Sequence, residues 1–229
     1  MRVPQINLRI NTIAMKLAES LNPQKALIWR IVHRDNIPWI LDNGLHCGNS
    51  KLRSESWINI GSSELINKRA QHPVSNIPGR TLGDYVPFYF TPFTPMMLNI
   101  KTGRSGVQNR APDELVILVS SVHHLASLKI PFIFTDGHAY SMLTKFYDDV
   151  TRLDKIDWEI LQKRDFKRSE IDPAKLDRYQ AEALVYKHLP LEGLHGMICH
   201  TDAVKQKMDA EIQARNISLK TAVGPNWYL

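Results

Sequence analysis

The stretch LGDYVPFYFTPFTPMM, residues 82–97, contains a short apolar run followed by a segment punctuated by prolines. Its VPFYF part, residues 86–90, combines aromatic and β-branched side chains and predicts a strand. Pro92 and Pro95 follow, and because proline lacks a backbone N–H we expect that strand to end before them. Taken alone, the stretch is more typical of an aromatic strand buried in a hydrophobic core than of a functional site.

Apolar runs on both sides of this stretch predict a mixture of strands and short helices. We expect about six strands, at 26–32, 86–90, 114–119, 131–134, 181–186 and 196–200, with a terminal strand in SLKTAVG. Short helices are predicted over 37–43, 64–71 and 120–128, and Asp35 is expected to cap the first. Because strands and helices do not alternate regularly, we predict an α+β fold.

The composition is that of an ordinary globular protein. The 229 residues are 43% hydrophobic and 23% charged, which excludes disordered, fibrous and membrane classes. We expect a single domain over residues 1–229, with residues 1–25 as an added N-terminal helical segment. Cys47 and Cys199 are too few for a disulfide framework, and no apolar run is long enough for a signal or membrane segment. A cytoplasmic location is therefore expected.

The formal charge of +6 favours a polyanionic partner such as nucleic acid. With Phe166 available for base stacking, the basic residues of two predicted loops suit a channel that follows the phosphates of a nucleic acid, although a solvated surface explains any one of them equally well. These residues are Lys101, Arg104, Arg110, Lys163, Arg164, Lys167 and Arg168. The polar segment 141–180 is expected to be mobile or to bind a partner.

Several familiar catalytic signatures are absent. The sequence has no G-x-G-x-x-G, P-loop, H-E-x-x-H or G-x-S-x-G motif. It therefore lacks the usual patterns of dinucleotide-dependent hydride transfer, P-loop phosphoryl transfer, zincin proteolysis and elbow-serine hydrolysis. Cys199 and His200 are neighbours on a predicted strand and would point to opposite faces, which disfavours a thiol nucleophile. No residue cluster predicts a metal site.

Three polar residues stand out against their surroundings. His33 and Asn36 lie where the first predicted strand meets a helix, a place where side chains can bind a ligand but more often cap the helix. Glu182 opens the otherwise apolar strand AEALVY, where a carboxylate needs a partner or a catalytic task. An edge-strand glutamate is an equally good interpretation of Glu182.

Five segments in order resemble the DarT family of DNA ADP-ribosyltransferase toxins. The resemblance runs from about residue 27 to the C-terminus, and GDYVPFYF-x-P-x-x-PM is its most specific piece. The segments are HRDNIPWILDNGL, NKRAQHPV, LGDYVPFYFTPFTPMM, FTDGHA and RYQAEALVY.

The resemblance implies an ADP-ribosyltransferase-like fold with a mixed β-sheet core and short helices. It implies an enzyme that splits NAD, as co-substrate, at the nicotinamide bond and attaches ADP-ribose to a thymine or guanine of single-stranded DNA. By motif position, Glu182 and Arg69 are similar to the catalytic pair and His138 to a histidine beside the base. His33, Asn36 and Tyr89, with Arg69, would line the NAD pocket.

The resemblance further implies a substrate-recognition loop at about 150–180 and a macrodomain antitoxin, DarG, as partner. Two positions depart from the family pattern: Arg30 stands where a histidine is common, and Phe93 where an arginine is frequent. These departures leave the NAD and base contacts, and the target base, open.

The expected chemistry assigns distinct roles to the two central residues. A carboxylate beside the ribose stabilises the positive charge that develops as nicotinamide leaves, and Glu182 is also the candidate acceptor of the proton from the base. Arg69 is always charged and acts electrostatically. A non-catalytic nucleic-acid-binding module and an ADP-ribosyltransferase acting on protein remain as alternatives.

Overall fold

The computed structural model describes residues 17–228, and its framework is an eight-stranded sheet accompanied by a two-stranded one. The strands are β1 (Leu27–His33), β2 (Leu45–His46), β3 (Tyr85–Tyr89), β4 (Leu115–Ser121), β5 (Phe132–Thr135), β6 (Phe146–Tyr147), β7 (Glu182–Tyr186), β8 (His188–Leu189), β9 (Gly196–Cys199) and β10 (Lys220–Val223). The expectation of about six strands was too low. Strands of two residues, such as β2, β6 and β8, are too short to show periodicity.

Short helices connect these strands, as the α+β prediction requires. They are α1 (Leu17–Ser20), α2 (Ile37–Asn43), α3 (Ser63–Gln71), α4 (Pro95–Thr102), α5 (Val122–Ser127), α6 (Trp158–Lys163), α7 (Lys175–Tyr179) and α8 (Asp202–Ala214). The predicted N-terminal helical segment falls mostly outside the described residues. Within residues 17–228, no helix combines the length and the apolar character that crossing a bilayer requires.

The main sheet runs in the order β10-β9-β4-β1-β3-β7-β5-β6 and is mostly antiparallel. Its central strands come from distant parts of the chain, and β7 is inserted between β3 and β5. Tyr89 of β3 lies directly opposite Glu182 of β7. Because directly opposed residues emerge on the same face of a sheet, these two polar side chains share one face.

The opposite face of the same strands forms the main hydrophobic core. Phe88 and Phe90 alternate with Tyr89 along β3 and are fully buried, as are Ala183 and Val185 next to Glu182 on β7. The VPFYF stretch therefore builds core with one set of side chains and the polar face with the other.

Helix α3 carries Arg69 and packs closely against the turn that precedes β3. Ser62 caps it, accepting a hydrogen bond from the Leu65 backbone N–H at 3.4 Å. Gly83, in that turn, has no room for a side chain, because a Cβ there would lie 2.7 Å from the Cα of Ala70. The glycine of the LGDYVPFYF motif thus permits the close approach that positions α3.

The junction after β1 differs from the prediction. Asp35 does not cap α2, because residues 34–36 form a 3-10 turn and Asn36 is the residue before the helix. Instead His33 caps the turn, its Nδ1 accepting from the Asp35 backbone N–H at 3.2 Å. Gly44 ends α2, with a φ of 71°.

The polar segment 141–180 is packed against the rest of the protein. Trp158 and Leu161 of α6 and Tyr179 of α7 are buried, and the Trp158 indole donates to the Leu153 carbonyl at 2.8 Å. Its charged residues largely pair with one another; Arg178, for example, binds the Asp172 carboxylate through two hydrogen bonds.

Candidate active site

The first residue of β7, Glu182, forms a bidentate ion pair with Arg69 of α3. Arg69 Nη1 donates to Oε1 at 3.0 Å and Nη2 to Oε2 at 2.8 Å. Glu182 is 1% exposed, so the pair lies at the base of a cavity rather than on the surface. Two parallel hydrogen bonds of this kind fix the orientation of the carboxylate as well as its charge.

The turn after β5 supplies the other contacts of the glutamate. The Ala139 backbone N–H donates to Glu182 Oε1 at 3.0 Å, and His138 Nε2 lies 4.0 Å from the same oxygen. The Glu182 backbone N–H donates to the Thr135 hydroxyl oxygen at 3.0 Å. Both backbone and side chain of Glu182 are therefore held in place.

The ionisation of Glu182 follows from these neighbours. Burial by itself raises the pKa of a carboxyl group, but the charges of Arg69 and His138 and the hydrogen bonds outweigh it, so the pKa of Glu182 lies below its usual value. Burial also opposes the charge on Arg69, yet Glu182 raises the pKa of that guanidinium above its ordinary value. The pair is fully ionised at neutral pH.

Tyr89 and Arg30 complete the polar floor of the cavity. Burial and the charge of Glu182 raise the pKa of Tyr89 to about 12, and its hydroxyl lies 3.8 Å from the sulfur of Met96. Arg30 donates from Nη1 to the Pro87 carbonyl at 2.8 Å. Within the described part of the chain its Nε is buried without a hydrogen-bond partner, and burial lowers the pKa of Arg30 to about 10.

These residues line one cavity of about 780 Å³, a size within the ~300–1,000 Å³ typical of small-molecule sites. All six residues predicted for catalysis or NAD binding line it, namely His33, Asn36, Arg69, Tyr89, His138 and Glu182. The cavity also reaches Trp39 and Trp57, whose rings meet edge to face 5.6 Å apart.

His33 and Asn36 make structural hydrogen bonds at the wall of this cavity. The Asn36 side chain donates to the Ile58 carbonyl at 2.8 Å and accepts from the Ile58 N–H at 2.9 Å. His33 caps the 3-10 turn, and burial, the largest effect, lowers its pKa. Both residues thus hold the local backbone through hydrogen bonds, the structural one of the two roles expected for them. Their contact with NAD stays a prediction.

The residues predicted to bind DNA lie outside the lining of the main cavity. Ser105, Gly106 and Val107, between Arg104 and Arg110, do line it, so the 101–110 loop forms part of its rim. Arg110 pairs with Glu114 at 3.2 Å. Lys101 lies in the last turn of α4, Lys163 pairs with Glu159, and Arg164 covers the Phe93 ring at 3.6 Å. Phe166 packs on Tyr179, Lys167 is exposed, and Arg168 lines a second hollow.

Some contributors to the site carry no signal in the sequence. The Ala139 N–H is a backbone donor, and nothing in an alanine marks it in advance. Thr135 holds the backbone of Glu182. It belongs to the FTDGHA segment, in which only the histidine was predicted to have a role. The His72–Tyr140 ring pair, with centroids 4.4 Å apart, follows from tertiary packing between α3 and the turn after β5.

The arrangement combines an ionised carboxylate, a guanidinium fixed to it and a half-buried histidine at the base of a large cavity. A carboxylate held in this way can stabilise a developing positive charge and accept a proton, as in the cleavage of a glycosidic bond. The guanidinium can only donate hydrogen bonds and stabilise negative charge. The geometry suits glycosyl transfer.

Comparison with known proteins agrees with this chemistry. Residues 29–229 match the model of a family described as DarT, ssDNA thymidine ADP-ribosyltransferase. A DNA ADP-ribosyl transferase of Escherichia coli O127:H6 is 55% identical over 216 residues, covering 94% of this chain and 99% of that protein. A DNA ADP-ribosyl transferase of a Thermus species is 34% identical over 171 residues, covering 73% of this chain and 78% of that protein.

Solved structures show the same fold. The DarT of Thermus sp. 2.9 in complex with ADP-ribosylated single-stranded DNA superposes with a TM-score of 0.82 at 26% identity, covering 90% of this chain and 98% of the other. The same Thermus protein in complex with NAD⁺ gives a TM-score of 0.73 at 26% identity, covering 90% of this chain and 99% of the other.

Proposed function

The chain belongs to the DarT family of DNA ADP-ribosyltransferases, and on that premise we propose that the Glu182 cavity is where ADP-ribose passes from NAD to a thymine of single-stranded DNA. It is an NAD-dependent transferase, with NAD as its co-substrate. The observation that carries the proposal is the buried bidentate pair of Arg69 with Glu182. A desolvated carboxylate, held ionised in a large cavity, is the group that this reaction needs.

The cavity suits a dinucleotide in both size and chemistry. NAD supplies an activated ribose whose bond to nicotinamide breaks during transfer. The unpartnered Nε of Arg30, within the described residues, is a buried donor that a polar ligand would satisfy. Trp39 and Trp57 offer ring surfaces at the wall, and His33 and Asn36 hold the backbone of that wall in place.

Glu182 acts on the ribose side of the reaction in this proposal. Its negative charge stabilises the positive charge that develops on the ribose, and its carboxylate takes the proton that leaves the base. The low pKa of Glu182 keeps the group ionised before the reaction. The Ala139 N–H and Arg69 hold it, so little reorganisation is required when charge develops.

Arg69 and His138 act as donors around the carboxylate. Arg69 keeps the Glu182 carboxylate ionised. It also stabilises negative charge on the base oxygen as the base loses its proton. His138 Nε2 lies 4.0 Å from Oε1 of Glu182, and in this proposal the histidine donates a hydrogen bond to the base. Tyr89, opposite Glu182 in the sheet, bounds the cavity floor.

The decisive experiment is an adduct assay. The protein is incubated with NAD and single-stranded oligonucleotides that differ in one base, and mass spectrometry detects the gain of one ADP-ribose. We expect a thymine adduct, lost in Glu182→Gln. Glu192→Gln, which changes an exposed glutamate away from the cavity, is the matched control and keeps activity.

Other outcomes of this assay separate the alternatives. Salt-sensitive DNA binding without any adduct indicates a non-catalytic binding module. Labelled proteins in a lysate together with unmodified oligonucleotides indicate a protein-directed transferase. Either result contradicts the proposal, and an adduct on guanine corrects the target base alone.

The cellular context is part of the same proposal. An enzyme that modifies DNA bases needs NAD and DNA together, which favours the cytoplasm, and it needs an antagonist that removes the mark. A macrodomain antitoxin, DarG, is the partner that family membership suggests. The main sheet contains both the first strand, β1, and the last strand, β10, which supports a single domain. Residues 1–25 precede β1, and we propose that they are an added segment.

A further inference from the structure

The turn after β5 leaves the catalytic glutamate and reaches the surface within a few residues. It is closed by three hydrogen bonds: the Ser141 N–H donates to the His138 carbonyl at 2.8 Å, the Thr144 N–H to the Ser141 carbonyl at 3.2 Å, and the Thr144 hydroxyl to the His138 carbonyl at 2.8 Å. The tip of the turn, residues 142–143, therefore has a fixed backbone on both sides.

Two apolar side chains stand at this tip and contribute almost nothing to the core. Met142 is 90% exposed and Leu143 is 85% exposed, next to Ala139, which is fully buried. Single exposed apolar residues are ordinary, but an adjacent pair on a hydrogen-bonded turn beside a cavity indicates a contact surface.

The tip is tied directly to the reacting centre. Ala139, whose N–H donates to Glu182, lies three positions before Met142. Tyr140 lies between them, lines the cavity and stacks against His72. The apolar tip thus continues from the cavity wall at Tyr140 to the protein surface.

A second hollow adjoins the same turn. The Asp177 carbonyl accepts from the His138 N–H at 2.9 Å, and its carboxylate accepts from the Ser141 hydroxyl at 3.1 Å. Asp177 also lines the second hollow, together with the exposed Arg168. The apolar tip and this hollow are therefore parts of one continuous surface, and the hollow carries the carboxylates of Glu170 and Asp177 beside Arg168.

We propose that Met142 and Leu143 form a wedge that inserts beside the acceptor base of single-stranded DNA and separates it from its neighbour. The inference rests on the proposed function. The apolar faces of bases fit the exposed side chains of the tip. Apolar side chains that insert between bases unstack them, and a base must leave its stack to enter a cavity.

The test compares wild-type protein with the Met142→Ser/Leu143→Ser double variant. Both side chains are exposed, so the variant is expected to fold normally. On an oligonucleotide that the wild type modifies, we expect its KM to rise about tenfold, the equivalent of about 1.4 kcal/mol of binding, while the KM for NAD is unchanged. Leu128→Ser is the matched control, because Leu128 is 41% exposed and precedes β5, whereas the turn follows it.

A second measurement reads unstacking directly. An oligonucleotide with 2-aminopurine next to the acceptor base gains fluorescence when that base is unstacked. We expect a gain with saturating wild type and with Leu128→Ser, and none with the double variant.

An unchanged oligonucleotide KM, or an unchanged fluorescence gain, overturns the wedge. A parallel loss of NAD affinity also overturns it, because the turn would then act by supporting Glu182. If the wild type itself forms no adduct, the proposed function fails instead.

Discussion

The Glu182 carboxylate accepts two hydrogen bonds at Oε1, from Arg69 and the Ala139 N–H, and one from Arg69 at Oε2. A carboxylate offers about four acceptor positions, so among the described residues the one left by these three hydrogen bonds is on Oε2. That oxygen is the one through which Glu182 can meet a substrate. The pair with Arg69 therefore orients the reactive group as well as keeping it charged.

The first prediction concerns the acid limit of activity. Glu182 is ionised above its lowered pKa, and its contribution to stability and catalysis is lost as pH falls through that value. Replacing Arg69 removes the main counter-charge while burial remains, so the pKa of Glu182 rises. We expect Arg69→Lys to retain weak transfer with its acid limb at higher pH than wild type, and Arg69→Gln to shift it further. An acid limb that stays in place in both variants would show that Arg69 does not control the ionisation of Glu182.

The second prediction concerns Arg30. Its guanidinium makes one hydrogen bond, to the Pro87 carbonyl, and its Nε is unsatisfied within residues 17–228. In Arg30→Met, the lost hydrogen bond and the relieved desolvation oppose each other, so we expect Tm to change by less than about 3 °C. The rate of adduct formation, kcat/KM, is expected to fall at least about tenfold because a substrate donor is lost. A large fall in Tm with full activity in the folded fraction would identify Arg30 as purely structural.

The third prediction concerns Gly83. An alanine Cβ there would lie 2.5 Å from Asn49 Oδ1 and 2.7 Å from the Ala70 Cα. Because Ala70 follows Arg69 on α3, the clash displaces the helix that carries Arg69. We expect Gly83→Ala to lower the free energy of unfolding by about 2 kcal/mol and to reduce activity. Gly48→Ala, whose nearest contact would be 3.7 Å, is the control in the same thermal denaturation experiment.

The fourth prediction concerns stability against pH, away from the site. Burial, followed by the charges of His124 and Lys220, lowers the pKa of His195 to about 4. The unfolded chain binds a proton near the usual histidine value of about 6.5, so stability is complete above that pH and is lost as pH falls towards 4. Urea titrations over this window should show a loss of about 2 kcal/mol that His195→Asn reduces. His123→Asn, at an exposed histidine, should keep the wild-type slope; an equal slope in all three proteins would contradict the assignment.

Much of the framework was predictable because its elements have regular patterns. The apolar and aromatic residues of VPFYF and of the strand at 181–186 indicate burial. Both segments form strands inside the main sheet. Glu182 was noticeable because it interrupts an apolar run. Its pairing with Arg69 came from the family resemblance, since no local pattern links residues 113 positions apart.

The parts that could not be predicted depend on contacts between distant segments. The Ala139 N–H and the packing of Gly83 on α3 leave no signature in their own neighbourhoods. The predicted cap at Asp35 was wrong because His33 satisfies that turn instead. The grouping of the apolar tip and the second hollow around Asp177 likewise appears only once α7 is packed against the turn after β5.

The insertion of β7 between β3 and β5 has a consequence for the growing polypeptide. A nascent chain that has emerged only as far as α7 contains Arg69, His138 and most of the cavity wall, but the slot between the two strands is empty. The strand that fills the slot also delivers Glu182. The joining of β3 to β5 and the arrival of Glu182 are therefore one event during synthesis, and under the proposed function ribosome-bound fragments that end before β7 leave the DNA of the cell unmodified.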